Sequence, residues 1–344
     1  MLLLTEGLFI LKNKRINNRR LIFVVFATTQ WILLSGLRHI TIGEDTHNYS
    51  IIFDRTIGVS ILDLFGDIKM LFVGDIIGVE PGYYLFQKLV QLVFPDYRFF
   101  LFVVAILFSA SLGVWIYRYS KDPLVSFLIY STLFYHFFAF TGFRQTIATA
   151  VVVMIGYKYI QQRKMKQFII LTLIAFTIHK SAILFLPFYF IANSHVTRKH
   201  ILFTLVLFPI LMVFRVPIAL KIIQLSGYHQ YELFEGAGTY NFTLMLLLVT
   251  IVSMWKMKYI ISNNPSAKHF FNAIIIALLL TPLTWVNPSA MRAVQYYSLF
   301  LMLLIPEIFG AFNKKEKVLV YYIGIGVLLL LFIRNSPHYI FYWK

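Results

Sequence analysis

Three arginines, a His-Lys pair and two carboxylates are the residues of this chain best equipped for chemistry. Arg38, Arg144 (followed by Gln145), His179-Lys180 and Arg292 are cations set in otherwise apolar or uncharged surroundings. A guanidinium keeps its charge and presents a rigid fork of N–H donors, a shape that suits phosphate and carboxylate oxygens. Imidazoles and carboxylates move protons, so His179, Asp45 and Glu80 are the candidate bases. On the hydropathy profile all four basic clusters fall at one side of a membrane, opposite to the side where positive charge normally collects. Cations gathered against that bias point to an anionic ligand.

Each of these residues also has a plainer reading. Arg144 can be a snorkelling residue at a span end, with Gln145 capping the next helix. His179-Lys180 can mark a tight turn, and Glu80 before Pro81 can complement a helix dipole. Arg292 follows Asn287-Pro288-Ser289, a helix-start signal, with Tyr296 one turn further along its face. Asp45 lies in T-I-G-E-D-T, where Thr41 and Glu44 have the spacing of a capping box.

The elements that must position these groups are membrane helices. Hydrophobic residues make up 59% of the 344 positions, charged ones 13%, and the mean hydropathy is +0.76. Lipid is therefore the main solvent. Spans of about 20 apolar residues are the unit to look for. Candidate stretches are 21–37, 98–117, 123–141, 145–160, 168–179, 181–192, 201–216, 241–256, 269–286, 293–311 and 318–334. The fold class that follows is all-α, a polytopic membrane bundle of about 10–12 membrane helices in a single transmembrane domain over residues 1–344.

Between the stretches lie the basic segments 12–20, 118–122, 161–166, 196–200, 256–268 and 313–317, which hold more than half of the 31 Lys and Arg. All face the cytoplasm only if residues 168–192 form a tight pair turning at His179-Lys180-Ser181; a single span would invert everything after it. Each arm has about 12 residues and cannot cross a core of about 30 Å alone, so short, tilted or re-entrant helices are expected. The net charge of +17 is thus explained by membrane orientation and anionic headgroups, with no need for nucleic acid. Residues 1–20 open with an apolar run of 11 that is too short to span and lacks signal-peptide features, an interfacial segment or the inner half of a span. No cysteine is present, which excludes disulfide and thiolate chemistry.

The outer loop 38–97 carries Glu44, Asp45, Asp54, Asp63, Asp67, Asp75, Glu80 and Asp96, eight of the 14 acids. Within it, 59–72 and 81–94 are amphipathic and read as two short interfacial helices, the second starting at Pro81. Asp63 and Asp67 are four residues apart, but no D-x-D pair occurs, which favours metal-free, cofactor-free chemistry.

The ordered segments GLRHITIGEDTHNYSIIF (36–53), VEPGYYLFQKLV (79–90), FTGFRQTIATAVV (140–152), IHKSAILFLP (178–187) and MRAVQYYSLF (291–300) carry a resemblance over roughly residues 12–310. The chain resembles the EpsG-like branch of the Wzy-type bacterial polysaccharide polymerases. That resemblance implies a bacterial cytoplasmic-membrane enzyme working on polyprenyl-diphosphate-linked oligosaccharide at the outer face. It implies transfer of a growing glycan to the next lipid-linked repeat unit, beside a flippase and a chain-length regulator of the same pathway. Such a reaction needs cations on the departing diphosphate and a base at the acceptor hydroxyl. Arg38, Arg144, Lys180 and Arg292 would meet the diphosphate, with Gln145, Tyr49 and Tyr296 beside them. Asp45, Glu80 or His179 would be the base. A flippase for lipid-linked saccharide, or a glycan ligase using the same carrier, are the alternatives.

Overall fold

A computed structural model of the chain describes residues 2–13, 17–73, 80–133, 135–226, 239–335 and 339–343. Asp75 lies outside the described residues. Helices fall on each of the eleven apolar stretches, and no β-strand occurs among the described residues. Four helices, Tyr97–Tyr119, Tyr240–Asn263, Ala267–Thr284 and Lys315–Ile333, are long and apolar enough to cross a membrane. Three pairs of shorter helices, two of them bent by 75° and 49°, raise the number to seven if each pair is one span. The remaining stretches are helical but shorter or more polar.

The helices are inside out by the standard of a water-soluble protein. In Tyr240–Asn263, Thr243, Leu246, Thr250, Ser253, Met257 and Ile260 form the buried stripe. Leu244, Leu248, Ile251 and Trp255 are exposed. In water the apolar face would be the one turned inward. Lipid removes that drive, so small and polar residues line the helix contacts and leucines face out. Buried hydroxyls are satisfied within the helix, as where Thr250 Oγ1 donates to the Leu246 carbonyl at 2.7 Å.

The chain packs as two compact units, Met1–Leu186 with Leu319–Lys344, and Pro187–Val318. In the first, helix Arg19–Gly36 runs along Tyr97–Tyr119. Gly113 makes that contact possible, because a Cβ there would lie 2.2 Å from Thr28 Oγ1. Asp96 starts the Tyr97–Tyr119 helix by accepting from the N–H groups of Arg98 and Phe99 at 2.8 and 3.0 Å. At the other end of that helix Arg20 donates to the carbonyls of Tyr117 (2.8 Å) and Ser120, which ties two of the basic segments together.

Residues near the C-terminus return to the start of the segment 38–97: His39 N–H donates to Ile340 O (2.9 Å) and Tyr342 N–H to Leu37 O (3.0 Å). Helix Met165–Ile178 ends where His179 adopts an extended backbone, φ −153° and ψ 116°. The rings of Phe168 and Phe185 lie 6.2 Å apart. A continuous helix would separate them by about 25 Å. The chain therefore doubles back at His179-Lys180-Ser181.

In the second unit, Asn272 Nδ2 donates to the carbonyls of Ile191, Ala192 and Ser194 at 2.9, 3.0 and 3.1 Å, and clasps the turn that follows helix Phe188–Ile191.

Candidate active site

Glu80 is the centre of the polar cluster in the first unit. Proline disfavours helical backbone at the residue before it, and Glu80 sits at φ −121°, ψ 76° at the edge of helix Pro81–Val93. Its carbonyl accepts from Tyr83 N–H at 3.0 Å, so the helix starts at once. Its side chain makes no capping hydrogen bond to that helix. The carboxylate instead reaches three donors outside its own helix. Oε1 accepts from His179 Nδ1 at 2.6 Å and from the Lys180 backbone N–H at 3.0 Å. Oε2 accepts from Arg144 Nη1 at 2.8 Å.

The carrier helix is itself fixed by polar ties. Gln91 Nε2 donates to Phe53 O at 2.6 Å, Thr56 Oγ1 to Gln87 Oε1 at 3.3 Å, and Lys88 Nζ to Ile57 O at 2.6 Å. Leu89 and Leu92 on the opposite face are 51% and 63% exposed, the same inversion that marks the membrane helices. Helix Phe143–Thr149 supplies Arg144. The buried Phe143 stacks on Tyr49 with ring centroids 4.8 Å apart. The Arg144 guanidinium lies 5.6 and 5.9 Å from the rings of Tyr49 and Tyr83.

Burial by itself raises the pKa of Glu80. The hydrogen bond and charge of His179, the charge of Arg144 and the Lys180 N–H outweigh it and hold the carboxyl at about 2. The group is then ionised at any physiological pH and can only accept hydrogen bonds. The proton between Glu80 and His179 sits on Nδ1, so whenever the ring is neutral Nε2 is its basic nitrogen. Nε2 is buried and has no hydrogen-bond partner among the described residues. The geometry thus makes His179 the stronger candidate base, while Glu80 has both oxygens engaged and orients it. Arg144 is the open member of the cluster, its side chain 34% exposed against 12% for His179 and 8% for Glu80.

Of the residues singled out in the sequence, Glu80, Arg144, His179, Lys180 and Tyr49 come together. Lys180 contributes its backbone N–H to the carboxylate. Gln145 is buried on the helix that carries Arg144. Tyr83, which lies under the Arg144 guanidinium, escaped sequence reasoning although it stands in the quoted E-P-G-Y run.

Asp45 is the residue at the start of helix Thr46–Thr56 and makes no capping bond. The capping box expected of Thr41 and Glu44 does not form, because the helix begins further on and Thr41 Oγ1 instead pairs with His39 Nδ1 at 2.9 Å. Arg292 and Tyr296 belong to the second unit, on helix Met291–Ser298, where Tyr296 is fully buried. Asn287 does initiate the preceding turn, its side chain accepting from Ser289 N–H at 2.8 Å.

Arg38 differs from what was expected of it. It is 2% exposed, and it donates to Ser35 O, to Ser35 Oγ at 3.0 Å and to Phe140 O at 3.3 Å. Its guanidinium lies 5.2 and 4.9 Å from the rings of Phe140 and Phe143. A guanidinium so enclosed is a structural tie and offers no face to a phosphate. Among the described residues no three His, Asp or Glu side chains converge on one point.

The model of one protein family, described as the EpsG family, matches residues 21–343. The chain belongs to the EpsG family. The matched region includes Glu80, Arg144 and His179-Lys180, and it makes this EpsG-family chain a membrane protein of the exopolysaccharide-polymerase kind. Neither the curated proteins nor the solved structures include a significant match to it.

Proposed function

We propose that this EpsG-family protein polymerises lipid-linked glycan at the outer face of a bacterial cytoplasmic membrane, and that Glu80, His179, Arg144 and Lys180 carry the reaction. The observation behind this reading is one ionised carboxylate that joins an arginine, a histidine and the first N–H of a helical turn. Glu80 holds His179 as the Nδ1–H tautomer. Nε2 then accepts the proton of the acceptor hydroxyl on the incoming repeat unit. The hydroxyl oxygen forms a bond to the anomeric carbon of the growing glycan as the bond from that carbon to the diphosphate breaks. The diphosphate leaves on its polyprenyl chain, and the proton passes from His179 to water or to the departing group.

Arg144 and Lys180 meet the charge that develops on the leaving diphosphate, where fixed donors act most strongly in a water-poor site. With Arg144 and the Lys180 ammonium against one carboxylate the cluster would carry a net positive charge, which favours a diphosphate over a neutral sugar. Support for the outer-face assignment comes from residues 340–342 pairing with 37–39, which puts the end of helix Lys314–Asn335 beside the outer loop and its basic start at the far end. The positive-inside rule then favours a cytoplasmic position for that basic start and an outer one for residues 37–39.

The lipid-linked saccharides of a deletion strain test this reading. Single repeat units, translocated to the outer face and unjoined, are expected. Units stranded on the cytoplasmic face would indicate a flippase, and long polymer still attached to carrier would indicate a ligase; either result refutes the polymerase reading.

A further inference from the structure

Gly82 sits two residues after Glu80, and Thr177 two residues before His179. An ideal Cβ placed on Gly82 would lie 2.1 Å from Thr177 Oγ1, 2.7 Å from its Cβ and 2.8 Å from its carbonyl carbon. Real Cβ contacts that short do not occur, so the helix Pro81–Val93 seats against the end of helix Met165–Ile178 only because residue 82 has no side chain. Two of the three atoms are backbone or Cβ and cannot swing away. The third is held by its own bond, since Thr177 Oγ1 donates to Ile174 O at 2.8 Å.

The requirement is not one of backbone conformation. Gly43 is the one described glycine with a positive φ, so residue 82 occupies a region open to alanine. Within helices alanine is in general the better residue. What glycine supplies here is closeness. An alanine would force the two segments apart by about 1 Å to restore ordinary contact. Glu80 and His179–Lys180 lie immediately beside this contact, one on each segment. Their bonds of 2.6 and 3.0 Å do not survive such a retreat.

We infer that Gly82 is a positioning residue, whose missing side chain sets the distance between Glu80 and His179. The inference rests on the reading of those two as working parts of the site. The test is a double-mutant cycle on full-length protein in liposomes, with the rate of joining of repeat units carried on polyprenyl diphosphate as the readout. Gly82→Ala should lower the rate about 10²-fold, the usual consequence of a misplacement near 1 Å, with the protein still accumulating in the membrane. Added to Glu80→Ala, it should change the rate by less than about twofold, because the contact it disturbs is already gone. A merely structural role would make the two losses multiply, and that result would overturn the inference. Thr177→Gly should restore at least part of the rate to Gly82→Ala.

Should Gly82→Ala not accumulate, Thr177→Leu presses on the same contact from the other side and takes its place in the cycle. A normal rate in Gly82→Ala, with Glu80→Ala inactive, would overturn the role of Gly82 alone. A normal rate in Glu80→Ala would overturn the reading of the site, and the role of Gly82 with it.

Discussion

Arg38 and Arg144 are two arginines of one unit, joined by a line of aromatic rings, with opposite uses. The Arg38 guanidinium lies against Phe143, Phe143 stacks on Tyr49, and the Tyr49 ring lies beside Arg144. Arg38 is closed in and bonds only neutral groups, Ser35 and the Phe140 carbonyl. Burial lowers its pKa to about 10, which leaves it charged. Arg144 bonds an ionised carboxylate that also binds a histidine, and a third of its side chain is open. Positive charge at the end of a membrane helix is thus insufficient to mark a site. The difference lies in the partner: carbonyls and rings make a tie, whereas a carboxylate shared with a histidine makes, on the proposed reading, a working site.

The largest effect that can break this contrast is loss of Arg144. Arg144→Ala should lower the polymerisation rate by about 10²–10³, the usual loss on removal of one preorganised donor. Arg144→Lys should be nearly as poor, because an ammonium cannot bridge Glu80 and a diphosphate with a planar fork. Full polymer from the alanine variant would reduce Arg144 to the same standing as Arg38.

Glu80→Gln comes next. It keeps the shape but loses the charge that fixes the His179 tautomer, and a rate loss of about 10–10² is expected in single-turnover assays. Arg38→Ala sharpens the comparison from the other side. It strands buried carbonyls and opens a cavity, a destabilisation on the order of 3 kcal/mol that thermal unfolding in detergent would show. The specific activity of the protein that survives should be close to normal.

The smallest effect is in the pH dependence of stability. Glu80 has its pKa lowered from 4.5 to about 2 on folding. A depressed carboxyl stabilises the fold fully above its unfolded value and loses that contribution as pH falls through the folded value. Wild-type protein should therefore lose stability relative to Glu80→Gln between about pH 4.5 and 2, and the two should run parallel above pH 6. Parallel curves down to pH 3 would mean that Glu80 is not the clamped anion described above.

Much of this was legible in the sequence. The apolar stretches mark the helices because a bilayer leaves the backbone no alternative to helix there. Pro81 marks the start of its helix, and isolated Arg144, His179 and Glu80 stand out where charge is scarce. Which of the arginines faces a ligand was not legible, because Arg38 and Arg144 differ only in what folds over them: Phe140 and the returning residues 340–342 come from far along the chain. The Thr41–Glu44 spacing misled for a local reason, since His39 captures the Thr41 hydroxyl before the helix begins. Gly82 carried no signal of its own in the sequence, and its meaning appears only beside Thr177.

The central claim is that His179, held by Glu80, takes the proton while the arginine side holds the diphosphate. It is tested most directly with purified His179→Ala in liposomes, measuring binding of the lipid-linked repeat unit and its joining in the same preparation. Binding should remain near the wild-type level, since the Arg144 and Lys180 side chains are untouched, while joining falls by about 10²–10⁴. Polymer made by His179→Ala at the wild-type rate would contradict the account.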